Sequence, residues 1–454
     1  MSPDPEQEYF CDGMTEEIIS DLSQIHDLLV ISRSSAMTYK GKKKKIKEIG
    51  QELNVQYALE GSVRKVGSSL RITGQLIDAR NDVHLWSKKY SGTLDDVFDI
   101  QEKVSGSIVD ALKLKLNPEE EKKIAERPIE NVKAYECYLQ ARQEIWRFTE
   151  KGLERGLQLL RNGLEIIGEN VLLYAAMGTA FYLYVDAGIK PGELYLQKAE
   201  ECVQNIFELN PETSHGHYLL GSIHMLRGNM QQAVRDFKRA LNKEPNNPDC
   251  LLQLVRIYGS CGKESAAEPL LEKALALDPL NAIAHSLPGY LQLLSGQFDS
   301  AAELYYKMYQ MDPESPIFRW FYAWSLIFAK RNEEAYRIID QLASDFPSSA
   351  FASYGLFIKN ALQGSKQEAL QNITPELEEA ARGVEYHSRD MAHGYALLGE
   401  KNKALDWLEN AVDCGFINYP FIAEIDPLFE NIRGEERFKT LMKRVKYEWE
   451  NFEV

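Results

Sequence analysis

SHGHYLLGSIHMLRGNMQQAVRDFKRALNKEPNN, residues 214–247, runs directly into PDCLLQLVRIYGSCGKESAAEPLLEKALALDPLN, residues 248–281, and the two align position by position. Gly228 falls on Gly262, Ala233 on Ala267, Ala240 on Ala274 and Pro245 on Pro279, each 34 residues on. The phase continues in both directions. Pro211, Pro245, Pro279, Pro313 and Pro347 keep the same step, as do Ala199, Ala233, Ala267, Ala301 and Ala335. A period of this length carrying small, aromatic and proline positions describes a pair of antiparallel helices repeated along the chain. Leu220, Gly221 and His224 lie on the first helix of the pair. Arg227–Asn229 make the turn, and Ala233, Phe237 and Ala240 lie on the second helix. The small residues allow close approach, Phe237 fills the gap, and Pro245 ends the second helix because it has no amide hydrogen to donate to carbonyl i−4.

This pattern resembles the tetratricopeptide repeat. Four regular units are expected over residues 211–347, the next two marked by Leu254, Tyr258 and Leu271 and by Gly289, Gly296 and Tyr305, with Pro288 irregular inside a helix. Weaker copies flank them. Gly178 and Ala199 stand 21 apart where the period asks for 12, which predicts an insertion near Asp186–Gly192. Tyr138, Ala141, Gly156, Leu160 and Gly163 suggest an earlier degenerate pair, and Ala396, Gly399, Ala404, Leu408 and Ala411 a later one. The expected layout is therefore a degenerate helical stretch at 133–210, the regular repeats, and further pairs over 348–454. DPLFENIRGEERFKTLMKRV reads as a closing amphipathic helix.

Residues 1–117 read as a separate α/β domain, joined by a linker at 118–132. Thr15 is a candidate helix N-cap ahead of Glu16 and Glu17, with Ile18, Ile19, Leu22 and Ile25 as the apolar face. An apolar run at Leu28–Ser32, a helix at Ile46–Leu53 and a hairpin of Tyr57–Val66 with Leu70–Asp78 follow, turning at Gly67–Ser69. His84–Tyr90 suggests another strand, with His84 and Trp86 in core roles, and Asp95–Lys115 a helix. The stretches SPDPEQEYFCDGMTEEIISDLSQI, LLVISRSS, LNVQYALEGSVRKVGSSLRITGQLIDA and HLWSKKY are similar to the domain that resembles the amino-terminal part of TolB. In that family the domain is followed by tetratricopeptide repeats in bacterial regulatory proteins. There it sits downstream of an adenylate cyclase, a serine/threonine kinase or a winged-helix domain. Members begin with an apolar strand ahead of the residues matching Met1–Asp4, so the resemblance implies that this chain is a fragment of a longer product. The expected fold class is an α+β N-terminal domain followed by an all-α solenoid of helix pairs.

The 454 residues carry 52 Lys plus Arg against 68 Asp plus Glu, a formal charge of −16. That balance argues against a nucleic-acid binder and against a polybasic membrane anchor for the chain as a whole. No apolar run approaches the length of a membrane span, and the start lacks the features of a signal peptide, which implies a cytoplasmic setting unless an upstream transmembrane helix exists. The six cysteines lack paired spacing and read as free thiols. His215, His217 and His224 form the densest histidine group, but they share one repeat helix and read as packing. Lys42–Lys45 reads as a solvated loop, and Asp95, Asp96 and Asp99 as charges favourable at a helix start. No nucleophile elbow, phosphate-binding loop, kinase signature or HExxH motif is present, so neither catalysis nor a cofactor or metal is expected.

The tetratricopeptide resemblance places the first helix of each pair on an inner wall. On this sequence it selects a partner-binding set of Tyr218, Met225, Leu252, Arg256, Tyr290, Leu293, Trp320 and Trp324. A wall so rich in aromatic and aliphatic groups suits a protein or peptide partner held by hydrophobic anchors. The competing expectation is that the wall is filled from within the chain, by the C-terminal helix or by the N-terminal domain. Two functions follow: a non-catalytic interaction scaffold in bacterial signalling, or the regulatory part of a cyclase or kinase whose catalytic domain lies upstream.

Overall fold

Alternation decides the first architecture in the chain. On the strand Ser69–Asp78, Leu70, Ile72 and Leu76 are buried while Ser69 and Arg71 are exposed, as expected for a sheet with one covered face. The computed structural model describes residues 8–66, 69–124, 127–147, 149–186, 189–190 and 192–454. These residues group into two units. One comprises the chain up to Leu219 with Arg239–Pro248 and Ala274–Asn281, and the other Leu220–Lys238, Asp249–Lys273 and Ala282–Val454.

In the first unit, helices α1 (Glu8–Ser23), α2 (Arg33–Met37) and α3 (Ile46–Glu52) precede strands β1 (Tyr57–Val66), β2 (Ser69–Asp78) and β3 (Val83–Thr93). The strands form an antiparallel sheet in the order β1-β2-β3, with a register shift at Leu76/Ile77. Val63 opposes Ile72, which opposes Tyr90. Helix α4 (Val97–Leu112) carries a stripe of Val97, Ile100, Val104 and Ile108, all buried, and α5 (Pro118–Ile124) follows. The apolar run Leu28–Ser32 lies outside helices and strands, and the Ser32 amide donates to the Leu277 carbonyl. Two expectations change here. Helix α1 begins at Glu8, so Thr15 is interior and its hydroxyl donates to the Cys11 carbonyl at 2.9 Å instead of capping. His84 is exposed rather than in the core. The expected turn residues Gly67 and Ser68 lie outside the described residues.

Two helix pairs complete this unit: α6 (Val132–Ile145) with α7 (Glu150–Ile167), and α8 (Val171–Asp186) with α9 (Glu193–Leu209). Asn131 caps α6 by accepting from the amides of Lys133 and Ala134, and Thr149 caps α7 through the Gly152 amide, each such cap contributing about 1 kcal/mol. A Cβ on Gly156 would lie 2.7 Å from Ile145, which is why the pair needs glycine there. Asp278, 1 % exposed, accepts hydrogen bonds from the hydroxyls of Ser34 and Ser35, while Ser35 Oγ accepts from the Leu280 amide at 2.9 Å. These donors hold the Asp278 carboxyl below its ordinary range against the opposing effect of burial.

The regular repeats follow as α10 (Ser214–Leu226) with α11 (Met230–Lys243), α12 (Pro248–Ser260) with α13 (Glu264–Leu277), α14 (Ala282–Leu294) with α15 (Phe298–Met311), and α16 (Pro316–Phe328) with α17 (Asn332–Asp345). Within the second unit the sequence pattern is borne out in detail. A Cβ on Gly221 would sit 3.1 Å from the Phe237 ring, and Phe237 is fully buried. Gly289 meets Tyr305 in the same way two repeats further on. The intra-pair turns need a left-handed residue, supplied at φ +74° by Gly228, +64° by Gly262 and +79° by Gly296. Lys330 takes that position at φ +59° in the fourth pair. Helices α18 (Ala350–Leu362) and α19 (Lys366–Gln371) form a further pair, followed by α20 (Pro375–Arg382) and by α21 (Glu385–Leu397) with α22 (Lys401–Asp413). The closing helix α23 spans Glu436–Glu450 and starts later than DPLFENIRG suggests, because Pro427–Phe429 make a separate short turn.

Candidate functional site on the first-helix face

The eight wall residues divide by what covers them. Tyr218, Arg256 and Tyr290 are half-buried. Met225, Leu252, Leu293, Trp320 and Trp324 are buried, Leu293 completely. Trp320 packs beside Gly355 of α18, whose missing side chain leaves room for the indole. Trp324 stacks edge-on against Phe328 at 4.9 Å. Packing between successive first helices thus absorbs positions that an isolated helix would leave on its surface.

The second cover is the segment between α22 and α23, which follows the turn glycines. A Cβ at Gly228 would meet the Asp413 carbonyl, one at Gly262 would lie 2.9 Å from Asn418 Oδ1 and 2.8 Å from Trp449 Nε1, and one at Gly296 would lie 3.2 Å from Ile425. The Ile417 amide donates to the Ser260 carbonyl at 3.1 Å. Asn418 donates through Nδ2 to the Gly259 carbonyl at 3.0 Å and to Glu264 at 2.9 Å, and accepts from the Phe421 amide. Phe416, Phe421, Phe429 and Ile432 are fully buried. The segment is thereby held along the intra-pair turns of the second unit. Nothing in GFINYPFIAEIDPLFENIRG repeats, so the 34-residue phase that locates the helices gives no signal for it.

Beneath this segment lies a charge the sequence did not single out. Arg389 is 1 % exposed, with its guanidinium carbon 4.3 Å from the Phe416 ring centre and 5.1 Å from that of Trp324. Its Nε and Nη1 have no hydrogen-bond acceptor among the described residues. Burial alone would depress its basicity, but Tyr290, Glu385, Asp390 and Asp426 together hold it above its ordinary value. Burial pushes Asp390 up to about 8, with the Arg389 charge opposing, and pushes the Tyr290 phenol up to about 12. His393 Nε2 and Asp426 Oδ2 are 2.7 Å apart and fully enclosed, tying α21 to the C-terminal segment. These groups knit a core; cation–π contact replaces the missing acceptors of Arg389.

The histidines of α10 are not brought together as ligands. His224 Nδ1 lies 3.0 Å from Asp236 of the paired helix, and His217 packs on Phe207. Among the described residues no group of three or more metal-binding side chains occurs. All six cysteines are free, and burial raises Cys202 to about 12 and Cys414 to about 11, far from thiolate reactivity. No helix among the described residues is long and apolar enough to cross a membrane.

These helix pairs have the arrangement of tetratricopeptide repeats, and family comparison finds such repeats in part of the chain. Tetratricopeptide models match residues 196–248, 224–287 and 292–353. The chain is 36 % identical over 223 residues to "Putative adenylate cyclase 3" of Rhizobium meliloti (strain 1021), a match covering 48 % of this chain and 38 % of that protein. It is also 30 % identical over 137 residues to human tetratricopeptide repeat protein 7B, covering 30 % of this chain and 15 % of the relative. The chain thus spans well under half the length of these relatives. Among solved structures, a tetratricopeptide repeat protein from Parabacteroides merdae ATCC 43184 is similar over 61 % of this chain and 99 % of its own, with 16 % identity and a TM-score of 0.39.

Proposed function

We propose that this chain is a non-catalytic protein-interaction scaffold of bacterial signalling, engaging a protein or peptide through the first-helix face of its repeats. The observation that supports the reading is the state of that face. Tyr218, Arg256 and Tyr290 remain part-exposed there, while the other five selected residues are committed to packing. Large aromatic and guanidinium groups of this kind are the side chains that anchor interfaces. Arg256→Glu combined with Tyr218→Ala should weaken partner binding at least tenfold with the far-UV spectrum unchanged. Binding unaffected by the pair would move the interface off this face.

A second reading is favoured by the rhizobial relative: these residues serve as the regulatory part of an adenylate cyclase, with a TolB-like N-terminal domain between catalytic domain and repeats. An antibody to the repeats, used on the source cells, separates the two. A species near the mass of 454 residues supports a free-standing scaffold. A much larger one supports the regulatory arm, and its N-terminal sequence would name the reaction.

A further inference from the structure

Inside the first unit, α1, α4 and α6 meet around a cleft that is partly open to solvent. Its lining includes Glu17 and Asp21 of α1, Phe98 and Gln101 of α4, and Ile129 and Tyr135 at the start of α6. The two carboxylates stand one helical turn apart on the same face of α1. Neither has a cation for a partner. Arg142 of α6 acts on Glu17 from a distance, but it is committed to Glu16 and to the Tyr138 hydroxyl, to which it donates at 3.0 Å. Glu17 itself makes no hydrogen bond or ion pair among the described residues. Asp21 accepts only from the neutral Ser105 hydroxyl, at 3.0 Å. Arg127 also lines the cleft, yet its guanidinium is held by Asp99 at 2.6 Å and by Glu102 at 3.1 Å. Burial therefore pushes Glu17 up to about 7 and Asp21 up to about 6, as expected of enclosed acids without counter-ions.

A second observation points to a ligand. Gln101 is 7 % exposed and Tyr135 is 4 % exposed, both line the cleft, and the Gln101 amide donates to the Tyr135 oxygen at 3.0 Å. That single bond leaves the other half of the amide and the remaining capacity of the phenol without a partner among the described residues. Buried polar groups in native cores are rarely left so. The Phe98 ring meets the Tyr135 ring edge-on at 5.1 Å, so aromatic groups border the carboxylates. The chemistry of this lining selects its occupant. Unpaired carboxylates repel an anion, and no group of three or more metal-binding side chains occurs among the described residues. A primary ammonium carries three donors, which match Glu17, Asp21 and the unused oxygen capacity of Gln101 and Tyr135. Its alkyl stem suits Phe98 and Ile129, and the rings add cation–π attraction. We propose that this cleft binds a small primary alkylammonium ligand, held by Glu17 and Asp21 with Gln101 and Tyr135 as its neutral partners.

The test is calorimetric titration of the full chain with n-butylammonium chloride, and with n-butanol as the uncharged analogue. At about pH 8, where both carboxyls are ionised, the ammonium should bind with a Kd of about 1 mM or tighter. n-Butanol should bind about tenfold more weakly or worse, since it leaves the carboxylates unpaired. Lowering the pH to about 6 protonates most of Glu17 and half of Asp21 while the alkylammonium stays charged, so affinity should fall about tenfold. The groups facing these two acids are Arg142, Tyr135 and Tyr138 of α6, Ser105 of α4 and Glu16 of α1. Glu17→Gln with Asp21→Asn keeps both shapes and should weaken binding about tenfold or more. Three results would overturn the proposal: no binding of the ammonium at about pH 8, equal binding of n-butanol, or an affinity that the double substitution leaves unchanged. The first two comparisons use the unaltered chain, so they stand even if the variant fails to fold. No protein partner enters the assay, and its outcome is independent of the interaction face proposed above.

Discussion

Gly262→Ala offers the sharpest test of how the C-terminal segment is held. The residue sits at φ +64°, where any L side chain is strained by about 1–2 kcal/mol. Its new methyl would also lie 2.8 Å from Trp449 Nε1 and 2.9 Å from Asn418 Oδ1. Neither neighbour is free to give way. Asn418 is 1 % exposed and makes bonds to Gly259, Glu264 and Phe421, and Trp449 Nε1 donates to the Gly262 carbonyl at 3.2 Å. Losing two of these bonds adds about 2 kcal/mol at about 1 kcal/mol each, for a total near 3–4 kcal/mol. Gly399→Ala supplies the control. It has φ +73° with nothing within 4 Å of the new methyl, so only the backbone strain of about 1–2 kcal/mol applies. Urea unfolding of both variants, followed by tryptophan fluorescence and circular dichroism, reads the difference. Equal losses at the two glycines would refute the claim that the segment is pinned to the turns.

Three further outcomes follow from particular residues. Lys330→Gly should stabilise the chain by about 0.5–1 kcal/mol, since lysine at φ +59° occupies a position that its neighbouring repeats give to glycine; a lower urea midpoint would contradict this. Arg389→Met keeps the buried volume and removes a guanidinium with two unpartnered nitrogens, so thermal unfolding should show no loss and up to about 2 kcal/mol of gain, whereas Arg389→Ala should lose about 3 kcal/mol to the cavity. Burial raises Glu17 to about 7 and Asp21 to about 6. The folded state then holds protons the unfolded chain has released, so their contribution is present at pH 4 and is lost as pH climbs to about 7. Glu17→Gln with Asp21→Asn should flatten that decline in a pH series of denaturant midpoints; an unchanged slope would show that these carboxyls are not the source.

What the sequence discloses is set by which interactions recur. The repeat helices are legible because close approach demands a small residue at a fixed phase, and Gly221, Ala233 and Phe237 interlock as their spacing implies. The sheet is legible because one face is covered, which enforces alternation along β2. The start of α1 is not: Thr15 has a capping chemistry that its interior position turns to a bond with Cys11. Five of the eight candidate face residues are buried for a related reason. Trp320 and Trp324 are apolar whether they await a partner or pack against Gly355 of α18 and Arg389 of α21, and only the placement of neighbouring helices distinguishes the cases. Arg389 gives no signal at all, since a charged residue on a helix is ordinarily solvated, and its burial depends on a segment 26 or more residues further along the chain, beginning at Gly415.

Whether a partner occupies the first-helix face is decided most directly by site-specific photo-crosslinking. A benzophenone side chain placed at Tyr218, Arg256 or Tyr290 in the full chain, and at exposed Tyr447 or Met311 as controls, is illuminated in cells and the adducts are sized and sequenced. The scaffold account predicts one protein adduct shared by the three face positions and missing from the controls. Adducts only at the controls, or at none of the three, would contradict it.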